Sequence, residues 1–187
     1  MKTKVYAAAL SGALLVSTVL SGCSGEEKKP FTILEITMND LDSMMESKKT
    51  FPLLIEREGC NFCEAMNAYL EETKDEHPGI TVYKIDATDF DLYRENKGDM
   101  TLVSSTEEGK RLLEIFPFYL YTPVIYRFED GKPIEGGFGY DEATHCVSTW
   151  TLNSTINWDL AKPVYVWDCF ELASSPSASK TMDSSSS

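Results

Sequence analysis

Cys60 and Cys63 stand three apart in residues 56–70, EREGCNFCEAMNAYL, after an apolar run and before a helical pattern. Two sulfurs so placed can serve as a redox pair, as half of a metal site, or as a plain structural disulfide. At a helix start the first sulfur lies outside the helix and the second one turn in, so the two can close a ring. The free N–H groups and the positive end of the helix dipole favour a thiolate on the first. Such surroundings bring a thiol pKa from about 8.5 toward 7 or lower. Cys60 is then the attacking nucleophile and Cys63 the more buried resolving thiol. The Cys60 thiolate attacks a substrate disulfide, one substrate sulfur leaves as thiolate, and Cys63 displaces the other from the mixed disulfide. The reverse order oxidises a dithiol. Arg57 favours the Cys60 thiolate, whereas Glu56, Glu58 and Glu64 oppose it.

The rival chemistries are weaker on the residues present. A three-residue spacing closes a small loop, a poor staple by chain entropy. Zinc needs four ligands; His145 and Cys146 adjoin one another and His77 is lone, so no metal and no cofactor are expected. His77 reads as a solvated residue at a helix C-terminus, and His145 as a surface residue. Trp150, Trp158 and Trp167 read as core or rim aromatics, and EETKDE, residues 71–76, as a solvated helix face.

The elements that must position the pair follow from hydrophobic period. Residues 31–37, FTILEIT, alternate and predict a strand. Asn39 or Asp40 caps a helix through Leu41, Met44, Met45 and Lys48. FPLLIE, residues 51–56, reads as a short strand buried on both faces. A helix over residues 61–76 carries Phe62, Met66, Tyr69 and Leu70, ends at His77, Pro78 and Gly79, and leads into a strand at ITVYKIDATD. Strand, helix, strand is the order of a parallel crossover unit. Residues 107–116 read as helix, with Leu112, Leu113 and Phe116 on one side. From residue 118 a strand, an Asp130-Gly131 turn and a return strand predict a hairpin. Residues 141–152 read as a last helix begun at Asp141, and residues 164–167, VYVW, as a further strand.

The compartment is written at the N-terminus. Lys2 and Lys4 precede an apolar stretch, residues 5–19, too short for a spanning helix of about 20 residues. Residues 20–23, LSGC, look like a bacterial lipobox, which makes residues 1–22 a lipoprotein signal peptide and Cys23 the lipidated mature N-terminus. Two acyl chains give stable anchoring. Residues 23–30 then form a polar tether, residues 31–172 one domain, and residues 173–187 a Ser-rich disordered tail. There is no internal repeat. The chain carries a formal charge of −13, and loss of Lys2 and Lys4 with residues 1–22 leaves −15. That balance excludes nucleic-acid binding and a polybasic membrane patch. At 42% hydrophobic and 11% aromatic residues, the domain can bury a real core. With Cys23 taken by lipid, four cysteines remain in an oxidising compartment, with three possible pairings. Cys60 with Cys63 is the simplest, leaving Cys146 with Cys169; the loop these close is worth about 3 kcal/mol in the chain-entropy model.

The ordered set of an apolar strand into CNFC, a helix, ITVYKIDATD and YTPVIYRFEDGKPIEGGFG resembles the thioredoxin-like family over residues 31–152. The resemblance implies an α/β fold, a central mixed sheet flanked by helices. It implies that Pro123 is the proline, usually cis, beside the active-site disulfide, and that the Thr122 backbone there pairs with a substrate strand. Gly131 matches the turn glycine. Three departures stand out. The acid that the family buries six residues before the first cysteine is Leu54 here, with Glu56 the nearest carboxylate. The dipeptide between the cysteines is Asn61-Phe62. Residues 90–116 form an insertion before the cis-Pro strand, a place for partner contact.

The expected function is a lipid-anchored, extracytoplasmic thiol–disulfide oxidoreductase at the cell membrane. Its partners would be the thiols and disulfides of exported proteins or peptides and a membrane redox partner, with the direction of exchange left open. The alternative is a non-catalytic accessory module that binds an exported peptide or a transporter, like the thioredoxin-like accessory proteins of bacteriocin export.

Overall fold

The computed structural model describes residues 29–99, 101–116, 122–152 and 160–174. The expected signal peptide, lipobox with Cys23 and most of the expected tether, the first residues of the strand expected from 118, Trp158 and nearly all of the expected Ser-rich tail lie outside them.

Among the described residues, nine strands and four α-helices follow in order: β1 (Thr32–Glu35), α1 (Met38–Glu46), β2 (Phe51–Glu56), α2 (Asn61–Thr73), β3 (Thr81–Asp86), β4 (Leu92–Tyr93), β5 (Val103–Ser104), α3 (Glu107–Ile115), β6 (Val124–Glu129), β7 (Lys132–Asp141), β8 (Cys146–Thr151), β9 (Lys162–Tyr165) and α4 (Val166–Ser174). Seven strands form one mixed sheet in the order β1-β3-β2-β6-β7-β8-β9; β4 and β5 pair by themselves. β1, β3 and β2 run parallel, and every later neighbour is antiparallel.

β2 shows why the sheet must be covered on both faces. All six residues are buried. Phe51, Leu53 and Ile55 join the core under α1 and α3, while Leu54 joins the core under α2 and α4. β6 repeats the alternation, with Val124, Tyr126 and Phe128 on the first side and Ile125 on the second. This is the period of two of a strand sandwiched between helices. Each fully buried Leu or Ile contributes about 2–3 kcal/mol. The fold is thioredoxin-like in its element order: parallel β2-α2-β3, then an antiparallel pair begun by Pro123.

The chain is fastened early. Gly79 donates its N–H to the carbonyl of Lys29 at 2.5 Å, and Thr32 donates to Ile80 at 3.0 Å, both at the edge where β1 and β3 begin.

Three expectations are corrected. α1 is capped not by Asn39 or Asp40 but by Thr37, whose hydroxyl accepts from the Asp40 N–H while the Asp40 carboxylate accepts from the Thr37 N–H, a reciprocal capping box. The helix expected over 141–152 is a turn followed by β8. Asp141 accepts from the N–H groups of Ala143 and Thr144, closing an Asx turn, and His145 takes a φ of +55°. The β-branched alternation of Val147 and Thr149 then favours a strand paired with β7. The strand expected at 164–167 is β9 only through Tyr165, and Val166 opens α4. Within the expected insertion, β4 and β5 pair apart from the main sheet. α3 is core-bearing, with Leu112 and, just past its end, Phe116 at 0% and 1% exposure.

The hairpin stands as expected. β6 and β7 pair through Asp130 and Gly131, with φ of +48° and +74°, the signature of a primed turn.

Candidate active site

β2 delivers the chain to the site. Gly59 turns it at a φ of +66°, where a side chain would be strained. The loop is held against the end of β3, for the Glu58 N–H donates to Thr88 Oγ1 at 2.8 Å and the Ala87 N–H to the Glu56 carbonyl at 2.8 Å. Cys60 is the N-cap of α2. Its sulfur accepts from the Cys63 N–H at 3.3 Å and its carbonyl from the N–H groups of Cys63 and Glu64. The sulfur therefore lies among the unpaired donors of a helix start, where a negative charge is stabilised.

Cys60 and Cys63 are joined as a disulfide, with their Cα atoms 5.2 Å apart. The Thr122 carbonyl oxygen lies 3.4 Å from the Cys60 sulfur, and the Thr122-Pro123 peptide is cis. Thus the four residues named from sequence, Cys60, Cys63, Thr122 and Pro123, meet in one place. Gly139 of β7 donates to the Pro123 carbonyl at 2.9 Å and ties the hairpin to the site. Both cysteines are largely covered, Cys60 at 6% and Cys63 at 3% exposure, whereas Phe62 between them is 56% exposed. Phe62 also walls a hollow of about 490 Å³ with Phe138, Tyr140 and Cys146.

Glu56 answers the missing acid at Leu54. The two residues share a face of β2, two positions apart. Leu54 is sunk in the core, but Glu56, at the strand's last position, is 6% exposed and lines a hollow of about 170 Å³ together with Cys63 and Asn67. Asn67 sits four residues after Cys63, on the same face of α2, and its amide donates to both oxygens of Glu56. Burial pushes the Glu56 carboxyl above its ordinary range, opposed by the Asn67 bonds and Lys84 and reinforced by Asp86. The signal for Asn67 was present in sequence as the i, i+4 relation to Cys63.

The expected Cys146–Cys169 disulfide is absent; both are free thiols. Val147 and Thr149 of β8 face the same side as Cys169, so the alternate residues Cys146 and Ser148 point to the other side, where they line the hollow beside Phe62. Burial pushes the Cys169 thiol up to about 12. The two histidines are also more enclosed than expected. His145 stacks on Tyr69 at 3.7 Å and shares a hydrogen bond with the Tyr140 hydroxyl. His77 stacks on Trp167 at 4.1 Å, with Nδ1 3.2 Å from Glu171. Trp150 and Trp167 are core residues. Among the described residues, no group of three or more His, Cys, Asp or Glu is gathered as metal ligands, and no helix is long and apolar enough to cross a membrane.

No protein-family model matches the sequence, and no curated protein is similar to it in sequence. Among solved structures the chain is similar to thioredoxin f from spinach chloroplast (short form), at 14% identity over 57% of this chain and 80% of that one, with a TM-score of 0.38. It is similar also to the Malassezia sympodialis thioredoxin Mala s 13, at 15% identity over 61% and 85%, TM-score 0.38. A third is Fasciola hepatica thioredoxin, at 16% over 60% and 89%, TM-score 0.37. The class is a thioredoxin-like fold carrying a Cys-x-x-Cys disulfide at the start of α2 and a cis-proline against it.

Proposed function

We propose that the chain is a thiol–disulfide oxidoreductase acting outside the cytoplasm, held to the membrane by lipid on Cys23, that exchanges disulfides with exported proteins through Cys60 and Cys63. The observation that carries the redox reading is the Cys60 sulfur itself, N-cap of α2, bonded to Cys63 and 3.4 Å from the Thr122 carbonyl. Attack by a substrate thiolate on the Cys60–Cys63 bond forms a mixed disulfide and releases one active-site thiolate; a second substrate thiol completes oxidation of the substrate. In the reducing direction the Cys60 thiolate attacks and Cys63 resolves. The compartment and the anchor rest on the N-terminal sequence.

The accessory reading draws support from the 6% exposure of Cys60. One experiment separates the two. In cells carrying Cys63→Ala, Cys60 retains substrates as mixed disulfides that run as reducible adducts on gels; the Cys60→Ser, Cys63→Ser double variant yields none. An empty trap, with the double variant supporting growth as the parent does, overturns the enzyme in favour of the accessory module. The anchor is read separately: Cys23→Ser should release the protein from the membrane fraction.

A further inference from the structure

We propose that the cleft between the starts of α1 and α3 is a docking groove for a basic, partly apolar segment of the protein that exchanges with Cys60 and Cys63. This rests on the redox reading above and names the class of partner that it serves.

The cleft holds about 730 Å³ and opens at the ends of the parallel strands β1 and β3, where α/β sheets place their crevices. Its apolar lining is Ile36 and Phe90, both half-buried, over the buried Met38 and Ile85. Five carboxylates accompany them: Glu35, Asp86, Glu107, Glu108 and Glu114. Of these, Glu35 pairs with Lys84 at 3.4 Å, and the two cations of the lining are already engaged. Lys110 pairs with Glu107 at 2.7 Å, and Arg111 pairs with Asp42 and donates to Asn39. Glu108 and Glu114, both exposed, have no cation partner among the described residues. The helix starts that open here would attract anions, but Thr37 and Thr106 cap them, and first-turn carboxylates already stand at each.

Apolar lining with acidic side chains is complementary to Lys and Arg, whose stems lie on apolar surface while the heads reach carboxylates. The net charge of −13 adds to the attraction at long range. The groove is also continuous with the site. Asp86 walls both the cleft and the hollow that holds Cys63, so a segment leaving its cysteine at Cys60 can run past Asp86 into the groove.

The test uses the full chain, with Cys23→Ser to remove the lipid, and two synthetic peptides. Both have the same apolar residues; one is flanked by lysines and its twin by glutamates. Cysteine-free forms are followed by fluorescence anisotropy, and disulfide-bonded forms by exchange rate. The cationic peptide should bind and exchange at least about tenfold better than its twin at low salt, with the ratio shrinking as salt shortens the screening length. Glu108→Lys with Glu114→Lys should bring the ratio close to one. Glu72→Lys with Asp75→Lys, an equal charge change on exposed residues outside the cleft, should leave most of it. A ratio unmoved by the cleft pair, or moved equally by both pairs, overturns the groove. Hydroxyethyl disulfide, small and neutral, reads the redox chemistry alone and should react equally with all variants. If it fails to react while the anisotropy preference persists, the enzyme reading falls and the groove stands.

Discussion

The Asn67 side-chain amide donates to both carboxylate oxygens of Glu56, at 2.9 and 3.1 Å, in the hollow that Cys63 also lines. Under the proposed exchange, a buried acid in the hollow that Cys63 lines can trade a proton with the resolving thiol. Glu56→Gln should therefore slow release of the mixed disulfide about 10²-fold while leaving the first attack by Cys60 unchanged. Rapid-quench alkylation separates the two steps, and an equal loss in both would remove Glu56 from the proton path.

The same carboxyl makes a stability prediction. Its pKa is raised in the fold, so the folded state holds the proton more tightly than the unfolded chain does. The stability it contributes is fully present below the unfolded value of about 4.5 and is lost as pH rises through the raised folded value. Urea unfolding between pH 4 and 8 should show this decline in the parent, and Glu56→Gln should flatten it.

The two unpaired cysteines should differ in reactivity. Cys146 is half-exposed, whereas Cys169 is buried with its thiol pushed up to about 12. In oxidised protein carrying Cys23→Ser, a thiol reagent at pH 8 should modify Cys146 in the native state and Cys169 only after unfolding. A native protein without reactive thiol, which gains two on reduction beyond the Cys60–Cys63 pair, would restore the disulfide that this fold does not form.

Gly131 should be the least replaceable glycine of the hairpin. Its φ is +74°, and a Cβ there would run into the Met45 carbonyl of α1. Gly131→Ala should cost about 2 kcal/mol or more, lowering Tm by about 5 °C. Gly98→Ala, also at positive φ but facing open space, should cost about 1 kcal/mol.

Thr37→Ala should cost about 1 kcal/mol through the lost capping box, measurable by urea unfolding. Asn39→Ala, at one of the two caps expected from sequence, should cost less, its side chain accepting only from Arg111 among the described residues.

What the sequence carried plainly was local chemistry with one structural solution. Asp130-Gly131 can turn only one way between apolar runs, and β2 had to be covered on both faces because all its residues but the last are apolar. Cys60, Cys63 and Pro123 lay at fixed places in that frame. Face and reach were harder to read. Asp141 begins helices and Asx turns alike, and only pairing with β7 decides for β8. An even count of cysteines says nothing about which side of a sheet each one takes, and Cys146 and Cys169 take opposite sides. Glu56 was visible as an acid, but its burial depends on Asn67 across the gap between β2 and α2.

The bond from Gly79 to Lys29 has a spatial consequence. It pins the chain where the parallel strands begin, while the sulfur pair sits beyond where β2 ends. Residues 23–28 reach at most about 20 Å. With a lipid on Cys23, as proposed, a domain standing upright would hold the reactive sulfurs farther from the bilayer than its tether by the height of β2, about 20 Å. In that posture passing secreted chains would meet the disulfide first, and an electron donor embedded in the bilayer would reach it by raising its own cysteines or by the domain tilting on its tether.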